Sequence, residues 1–269
     1  MASSTHAYQA TDGEAYEVFL GRRSRRLAER LLDFAGFADD GPLLDVGCGT
    51  GSLAGAMAAR WPGRHIVGVD SSQAFLAFAR SRALGPALVF DLGDATALPY
   101  DDGTFAGAAT QLVLNFIPNA EAAAAEMRRV MRRGGIVAAA VLDFHGGAVF
   151  HRLFWDTAAA TDPQAVERRA RLFSAKPALP GGLRNLFVAA GLERIEEGLI
   201  TIRMDYGNFD DYWGPLLGGQ GPIGSYVAGL SGDLRGRLEA AVRAAYCAGA
   251  PDGLRTMSAT AWAVRGIAP

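Results

Sequence analysis

Short, nearly continuous apolar runs alternate through the first half of the chain with stretches whose apolar positions recur at helical spacing. The residues ahead of Asp45, then His65–Asp70, Ala87–Leu92, Phe105–Thr110 and Ile136–Leu142, read as five buried strands. Between them lie crossover helices, of which Ser52–Arg60 and the helix opening near Gln73 behind Ser71-Ser72 are the clearest. Such a rhythm demands a parallel sheet with helices on both faces. After Leu142 it breaks. Asp143–Pro180 reads as an insertion of one or two helices, Leu183–Ala190 as a resumed crossover helix ending at Gly191, and Glu196–Met204 as a sixth strand. A second excursion, Asp205–Ala250, precedes a terminal strand over Met257–Arg265, and an amphipathic helix at about 12–35 precedes everything. The predicted fold is therefore α/β, a doubly wound, mostly parallel seven-stranded sheet in a single domain over 1–269. The excursions at about 143–180 and 205–250 gather above the carboxyl ends of the strands, where ligands bind in open α/β sheets.

The turn after the first strand carries Gly47, Gly49 and Gly51 on alternate positions. Residues without a Cβ permit positive φ and let a ligand lie against bare backbone, and the N–H groups at the start of the next helix are expected to face that ligand. The dinucleotide fingerprint of oxidoreductases wants glycines at the first, third and sixth positions, and the sixth here is Ser52. Asp70, at the carboxyl end of the second strand, can accept from two vicinal ribose hydroxyls. Asp94 follows the third strand and can also cap a helix over Ala95–Leu98. Asp101-Asp102-Gly103 reads as a plain turn.

An acidic residue followed by glycines at 47, 49 and 51 resembles motif I of the class I S-adenosylmethionine-dependent methyltransferases. The segment Gly93-Asp94-Ala95 with Leu98-Pro99 is similar to their adenine-binding segment, and Arg128–Gly135 to their step into strand five, with Arg133 where proline is common. Ala106 stands where the family usually has an aspartate. Outside the core, Tyr16 with Gly21-Arg22, Asp211–Pro215, Gly218–Pro222 and Ala261–Gly266 resemble a bacterial branch of the quinone-methyltransferase-like (type 11) group.

The resemblance implies a Rossmann-like fold, an antiparallel terminal strand inserted between the fifth and sixth, and a helical lid. It implies S-adenosyl-L-methionine as cofactor, held by Tyr16, Arg22, Asp45, Gly47, Cys48, Gly49, Gly51, Asp70, Ser71, Asp94, Ala95 and Gln111. In that reading Asp94 accepts from the adenine amine and the next amide donates to the ring, while the planar fork of Arg22 clamps the methionine carboxylate under Tyr16. The expected reaction is in-line methyl transfer to a small-molecule acceptor, for which a general base is not compulsory. His145, just after strand five, is the positional candidate for a base, with His151 following on the adjoining helix. Aromatic residues concentrate in both excursions, and Phe150, Trp155, Tyr212 and Trp213 are candidates for the acceptor chamber and for a mobile cover over it.

Composition narrows the partners. Net charge is −2, and the 26 basic residues, all arginine but Lys176, form no stripe that advertises nucleic acid. Cys48 and Cys247 are too few for a disulfide framework, which fits a reducing cytoplasm. The longest apolar run, Ile136–Leu142, is far short of a membrane span, and the amino terminus lacks the pattern of a secretion signal. No His, Cys and carboxylate cluster has metal-site spacing, so no metal is expected. The alternatives are an NAD(P)-dependent oxidoreductase or a methyltransferase acting on a macromolecule. Against the latter, Asn115-Phe116-Ile117-Pro118 does not match an N-P-P-Y tetrad, and no Pro-Cys nucleophile is present.

Overall fold

The structure is a computed structural model that describes residues 12–82 and 84–269, the side chain of Arg22 excepted. The chain opens with the single helical turn α1 (Gly13–Tyr16), capped by Asp12, whose carboxylate accepts from the amides of Glu14 and Ala15. A π-helical turn, Glu17–Gly21, joins it to α2 (Arg22–Ala35). Gly36 stops α2 in the left-handed conformation, its amide reaching back to the Leu32 carbonyl. The predicted helix over 12–35 is thus one helical path with a wide turn inside it.

Four strands follow, three of them with a helix after them. They are β1 (Leu43–Val46) and α3 (Ser52–Arg60), β2 (Ile66–Asp70) and α4 (Gln73–Ser81), β3 (Leu88–Leu92), then β4 (Phe105–Gln111) and α5 (Ala120–Arg129). All four residues of β1 are buried, as a central strand flanked on both faces requires. β5 (Met131–Leu142) begins earlier than the apolar run suggested. Met131 pairs with Phe105, the ladder slips at the Arg-Gly-Gly step where Gly134 takes φ +78°, and pairing resumes at Ile136.

The first excursion holds α6 (Val149–Thr161) and α7 (Pro163–Phe173), the latter started by Asp162 at the N-cap and Pro163 at its first position. α8 (Gly182–Ala189) leads to β6 (Glu193–Tyr206). The second excursion holds α9 (Phe209–Trp213), α10 (Gly221–Ala228) and α11 (Gly232–Cys247). β7 (Arg255–Ile267) then runs antiparallel between β5 and β6, giving the sheet order β3-β2-β1-β4-β5-β7-β6. The direction of the chain reverses its walk across the sheet between β1 and β4, and the loops leaving those two strands part there to form a crevice.

Helices α6 and α11 pack on each other, with α9 against α11, as a cap beside that crevice. Its interior is aromatic. Phe154 and Phe209 stack on Trp213, Trp155 lies against Tyr226, and Tyr212 and Tyr246 meet at 5.7 Å. Tyr226 and Tyr212 satisfy their hydroxyls inside the cap, on Asp162 and on the Phe150 carbonyl.

Candidate functional site

A cavity of about 550 Å³ lies at the switch point, within the range of sites for small ligands. One end is built by the loops after β1, β2 and β3. Gly47 and Gly51 take φ of +73° and +83°, and neither could carry a side chain: a Cβ would stand 2.6 Å from Val113 and 2.9 Å from Leu84. Gly49, at φ +53°, has room beside it, a Cβ there meeting only Phe75 at 3.7 Å.

Several amides of the loop are bonded within the protein. Gly47 and Cys48 donate to the Val69 carbonyl, Gly51 to that of Cys48, Gly49 to Asp70 Oδ2 at 2.8 Å, and Ala54 in α3 to Asp45 Oδ2 at 2.8 Å. These five donors serve to fix the loop against β2 and β1. Asp70 also accepts from the Ser72 amide through Oδ1. Burial pushes its carboxyl up from the usual range, opposed by these bonds. Asp45, almost fully buried, is pushed up to about 8 by desolvation. Cys48 is buried and its thiol is held well above the usual value, so it is a packing residue and not a nucleophile.

Asp94 is exposed at the third loop. It closes a turn rather than capping a helix: Oδ1 accepts from the amide and the hydroxyl of Thr96, and these bonds hold its carboxyl below the usual range. Ser71 and Ala95 line the same end.

The other end is built by the segment after β4, the loop after β5, and the helical path at the amino terminus. Leu112 sits at φ +64°, a conformation a branched side chain rarely adopts, with its amide on the Ala140 carbonyl. That reversal turns the chain over the cavity mouth and presents Val113, Asn115 and Phe116 to it. Gln111 donates from Nε2 to the Ser24 carbonyl, tying α2 to β4, while its Oε1 is buried with no partner. Phe19, Leu20, Leu142, Phe144 and Pro222 supply apolar wall.

The amino-terminal path is anchored over the glycine loop by Glu17. Its carboxylate pairs with Arg25, accepts from the Thr50 hydroxyl at 3.2 Å and lies 3.6 Å from Arg82, which itself donates to the Thr50 carbonyl. Tyr16 lies against Phe75 with ring centres 5.0 Å apart, and both line the cavity. The side chain of Arg22, expected as a carboxylate clamp, lies outside the described residues. Gly51 does not line the cavity; its part is to start α3 from a left-handed position.

The residues expected around the acceptor are placed elsewhere. His145 does not line the cavity: its Nε2 lies 2.9 Å from the Phe173 carbonyl and its ring edges against Phe173, so it fastens the loop after β5 to α7. Phe150, Trp155, Tyr212 and Trp213 are buried in the cap and do not line the cavity either. Trp155, Tyr212 and Trp213 pack against other aromatic rings of the cap, and Phe150 packs against His151. His151, one turn into α6, does reach the cavity. It is 4 % exposed, its Nδ1 has no partner, and burial lowers its imidazole to about 3. Asn115 and Phe144 also face the cavity, and nothing in their sequence spacing marks them apart from core or turn residues. Among the described residues no group of three or more His, Cys, Asp and Glu is arranged to hold a metal ion, and no helix is long and apolar enough to cross a membrane.

Known proteins share this arrangement. Residues 43–135 match a family model described as a methyltransferase domain. The 2-phytyl-1,4-naphtoquinone methyltransferase of Synechococcus elongatus is 31% identical over 167 residues, which cover 56% of this chain and 71% of that protein. The demethylmenaquinone methyltransferase of Roseiflexus castenholzii is 39% identical over 98 residues, 36% of this chain and 41% of that one. The chain spans less than half the length of the first curated relatives it matches. Among solved structures, phosphoethanolamine N-methyltransferase 2 of Haemonchus contortus, in complex with S-adenosyl-L-methionine, superposes with a TM-score of 0.59 at 16% identity, covering 96% of this chain and 56% of that one.

Proposed function

Because the chain belongs to the class I S-adenosylmethionine-dependent methyltransferases, we propose that its cavity holds S-adenosylmethionine and directs the methyl group to a small-molecule acceptor. One observation carries the choice of ligand: the charged groups among the described lining residues are three carboxyls, Asp45, Asp70 and Asp94. A cation entering the cavity draws the raised carboxyls of Asp45 and Asp70 back to the ionised form and gains from their charge. A pyrophosphate meets the same carboxyls as repulsion, and five amides of the loop and the first turn of α3 are bonded within the protein. A nicotinamide dinucleotide is therefore disfavoured.

When bound, the cofactor supplies a methyl group already activated as a sulfonium substituent. The protein's part is to hold, orient and shield. Asp70 keeps lone pairs for the ribose hydroxyls beyond its two amide bonds, and Asp94 with the Ala95 amide takes the edge of the adenine. Ser71, Cys48 and Gly49 lie against the nucleoside, Tyr16 covers the amino-acid portion, and Gln111 faces the reacting end. The two helical excursions and the amino-terminal path, in the same single domain, exclude water from that end. No nucleic acid or membrane partner is part of this reading.

Calorimetry with S-adenosylhomocysteine and with NAD⁺ tests it. Binding of the former with no comparable heat from the latter is the expected result, and the opposite preference defeats the assignment. Asp70→Asn removes the charge from this contact and is expected to weaken binding by about 1.5–3 kcal/mol, the worth of a hydrogen bond to a charged group.

A further inference from the structure

The cavity is divided by charge. The three carboxyls among its described lining residues stand on β1, on β2 and on the loop after β3, whereas the wall built by β4, β5, α2 and α6 has, among the described residues, no charged lining group. What that wall does hold is a set of polar atoms without partners. His151 Nδ1, both amide atoms of Asn115 and Gln111 Oε1 are buried and have no hydrogen-bond partner among the described residues. His151 is flanked by the rings of Phe144 and Phe150, at 5.1 and 4.5 Å between ring centres, which hold its imidazole at the cavity wall. Leaving such groups unpaired in a folded chain is costly, and a cluster of them on one wall marks where a ligand's polar atoms belong.

We propose that this wall is the acceptor site, that it takes an uncharged molecule with an apolar body and a hydroxyl group, and that His151 is the catalytic residue that accepts the hydroxyl proton. The assignment rests on the methyltransferase reading above. An acceptor carrying an ammonium finds no carboxylate on this wall, and one carrying a carboxylate finds no cation among its described residues. Phe19, Phe116, Phe144 and Leu142 take the apolar body, and the Asn115 amide, donor and acceptor together, orients the hydroxyl.

In the transfer, an oxygen lone pair forms the new bond to the methyl carbon and the carbon–sulfur bond breaks, its electron pair returning to sulfur. The hydroxyl proton passes to the imidazole. The positive charge lost at sulfur reappears on His151, so the net charge inside the cavity does not change during the step. An imidazole that desolvation keeps neutral beforehand becomes an imidazolium only as the sulfonium charge disappears. The imidazolium then returns its proton to water when the product leaves.

The test uses three probes of one shape: para-butylphenol, para-butylbenzoate and para-butylbenzylammonium. Each is titrated into the full chain saturated with S-adenosylhomocysteine, and methyl transfer from labelled S-adenosylmethionine to the phenol is followed. The phenol is expected to bind and to be methylated, with binding of either charged analogue at least tenfold weaker. His151→Gln keeps a hydrogen-bonding group but cannot serve as the base. It is expected to leave the KM for the phenol within a few-fold and to lower kcat by about 10²–10⁴-fold, the usual worth of a general base. Asn115→Ala is expected to raise KM with a smaller effect on kcat. Tighter binding of the benzoate or the ammonium overturns the acceptor class, and an unchanged kcat in His151→Gln overturns the role of His151. Cofactor calorimetry on the same variants separates these failures from a failure of the methyltransferase reading: S-adenosylhomocysteine affinity stays at the wild-type value if only the acceptor assignment is wrong. Should His151→Gln not fold, His151→Asn with Asn115→Ala carries the same comparison.

Discussion

A single buried carboxyl sets a measurable property of this chain. Asp45 is held near 8 in the folded state and returns to the ordinary carboxylate range when unfolded. Between those values the folded chain keeps a proton that the unfolded chain has lost, so the contribution to stability is complete at low pH and disappears as pH rises toward 8. Denaturant melts at several pH values are expected to show Asp45→Asn with a flatter profile than the wild type. The wild type loses up to about 1.4 kcal/mol per pH unit from this group across that window. The asparagine oxygen still accepts from the Ala54 amide, so the comparison isolates the proton. Parallel profiles would mean that Asp45 is ionised in the folded chain. The sequence marked Asp45 and the glycines through their spacing, but it could not tell that the Gly49 amide turns inward. That depends on Asp70 reaching back 21 residues to Gly49, a contact set by the register of β1 against β2.

Among the elements, the π turn at Glu17–Gly21 was not legible, because an amphipathic pattern over 12–35 reads the same whether or not a residue is looped out. Its effect is positional. An α-helix advances about 100° per residue, so one residue absorbed in a wide turn rotates everything before it by that amount relative to α2. Val18, half exposed within the turn, is the residue to remove. Its deletion is expected to restore a regular helix, carry Tyr16 off the Phe75 ring, and weaken cofactor binding at least tenfold while the melting temperature changes little. Calorimetry beside a thermal melt reads both quantities, and an unaltered affinity would show that the rotation does not matter to the ligand. The strands were legible to within a few residues, the first four as short apolar runs and β6 through its alternation. The exception is β5, whose early start at Met131 lies in Met-Arg-Arg-Gly-Gly, where no apolar pattern announces pairing.

For the whole molecule, the sheet order and the antiparallel last strand agree with the expectation, and the weight of the aromatic residues does not fall where expected. Phe150, Trp155, Tyr212 and Trp213 are as apolar in a chamber wall as in a core, so composition cannot choose between them. Three-dimensional packing chooses the core: Trp213 is 3 % exposed between Phe154 and Phe209. Trp213→Ala is accordingly expected to destabilise the chain by about 3–5 kcal/mol, as large-to-small changes in cores do, with S-adenosylhomocysteine affinity within a few-fold of wild type. A variant as stable as the parent but unable to bind would return Trp213 to the cavity. The placement of β7 has a further effect, on the order in which the chain can be assembled. Its residues are made after β5 and β6, yet they alone join those strands, so the edge of β5 and the whole length of β6 stay unpaired until Arg255–Ile267 arrives. The cap is similarly delayed, since α6 waits for α11. Refolding is thus governed by late, long-range pairing, and the half-made chain exposes two sheet edges that favour self-association over the native fold.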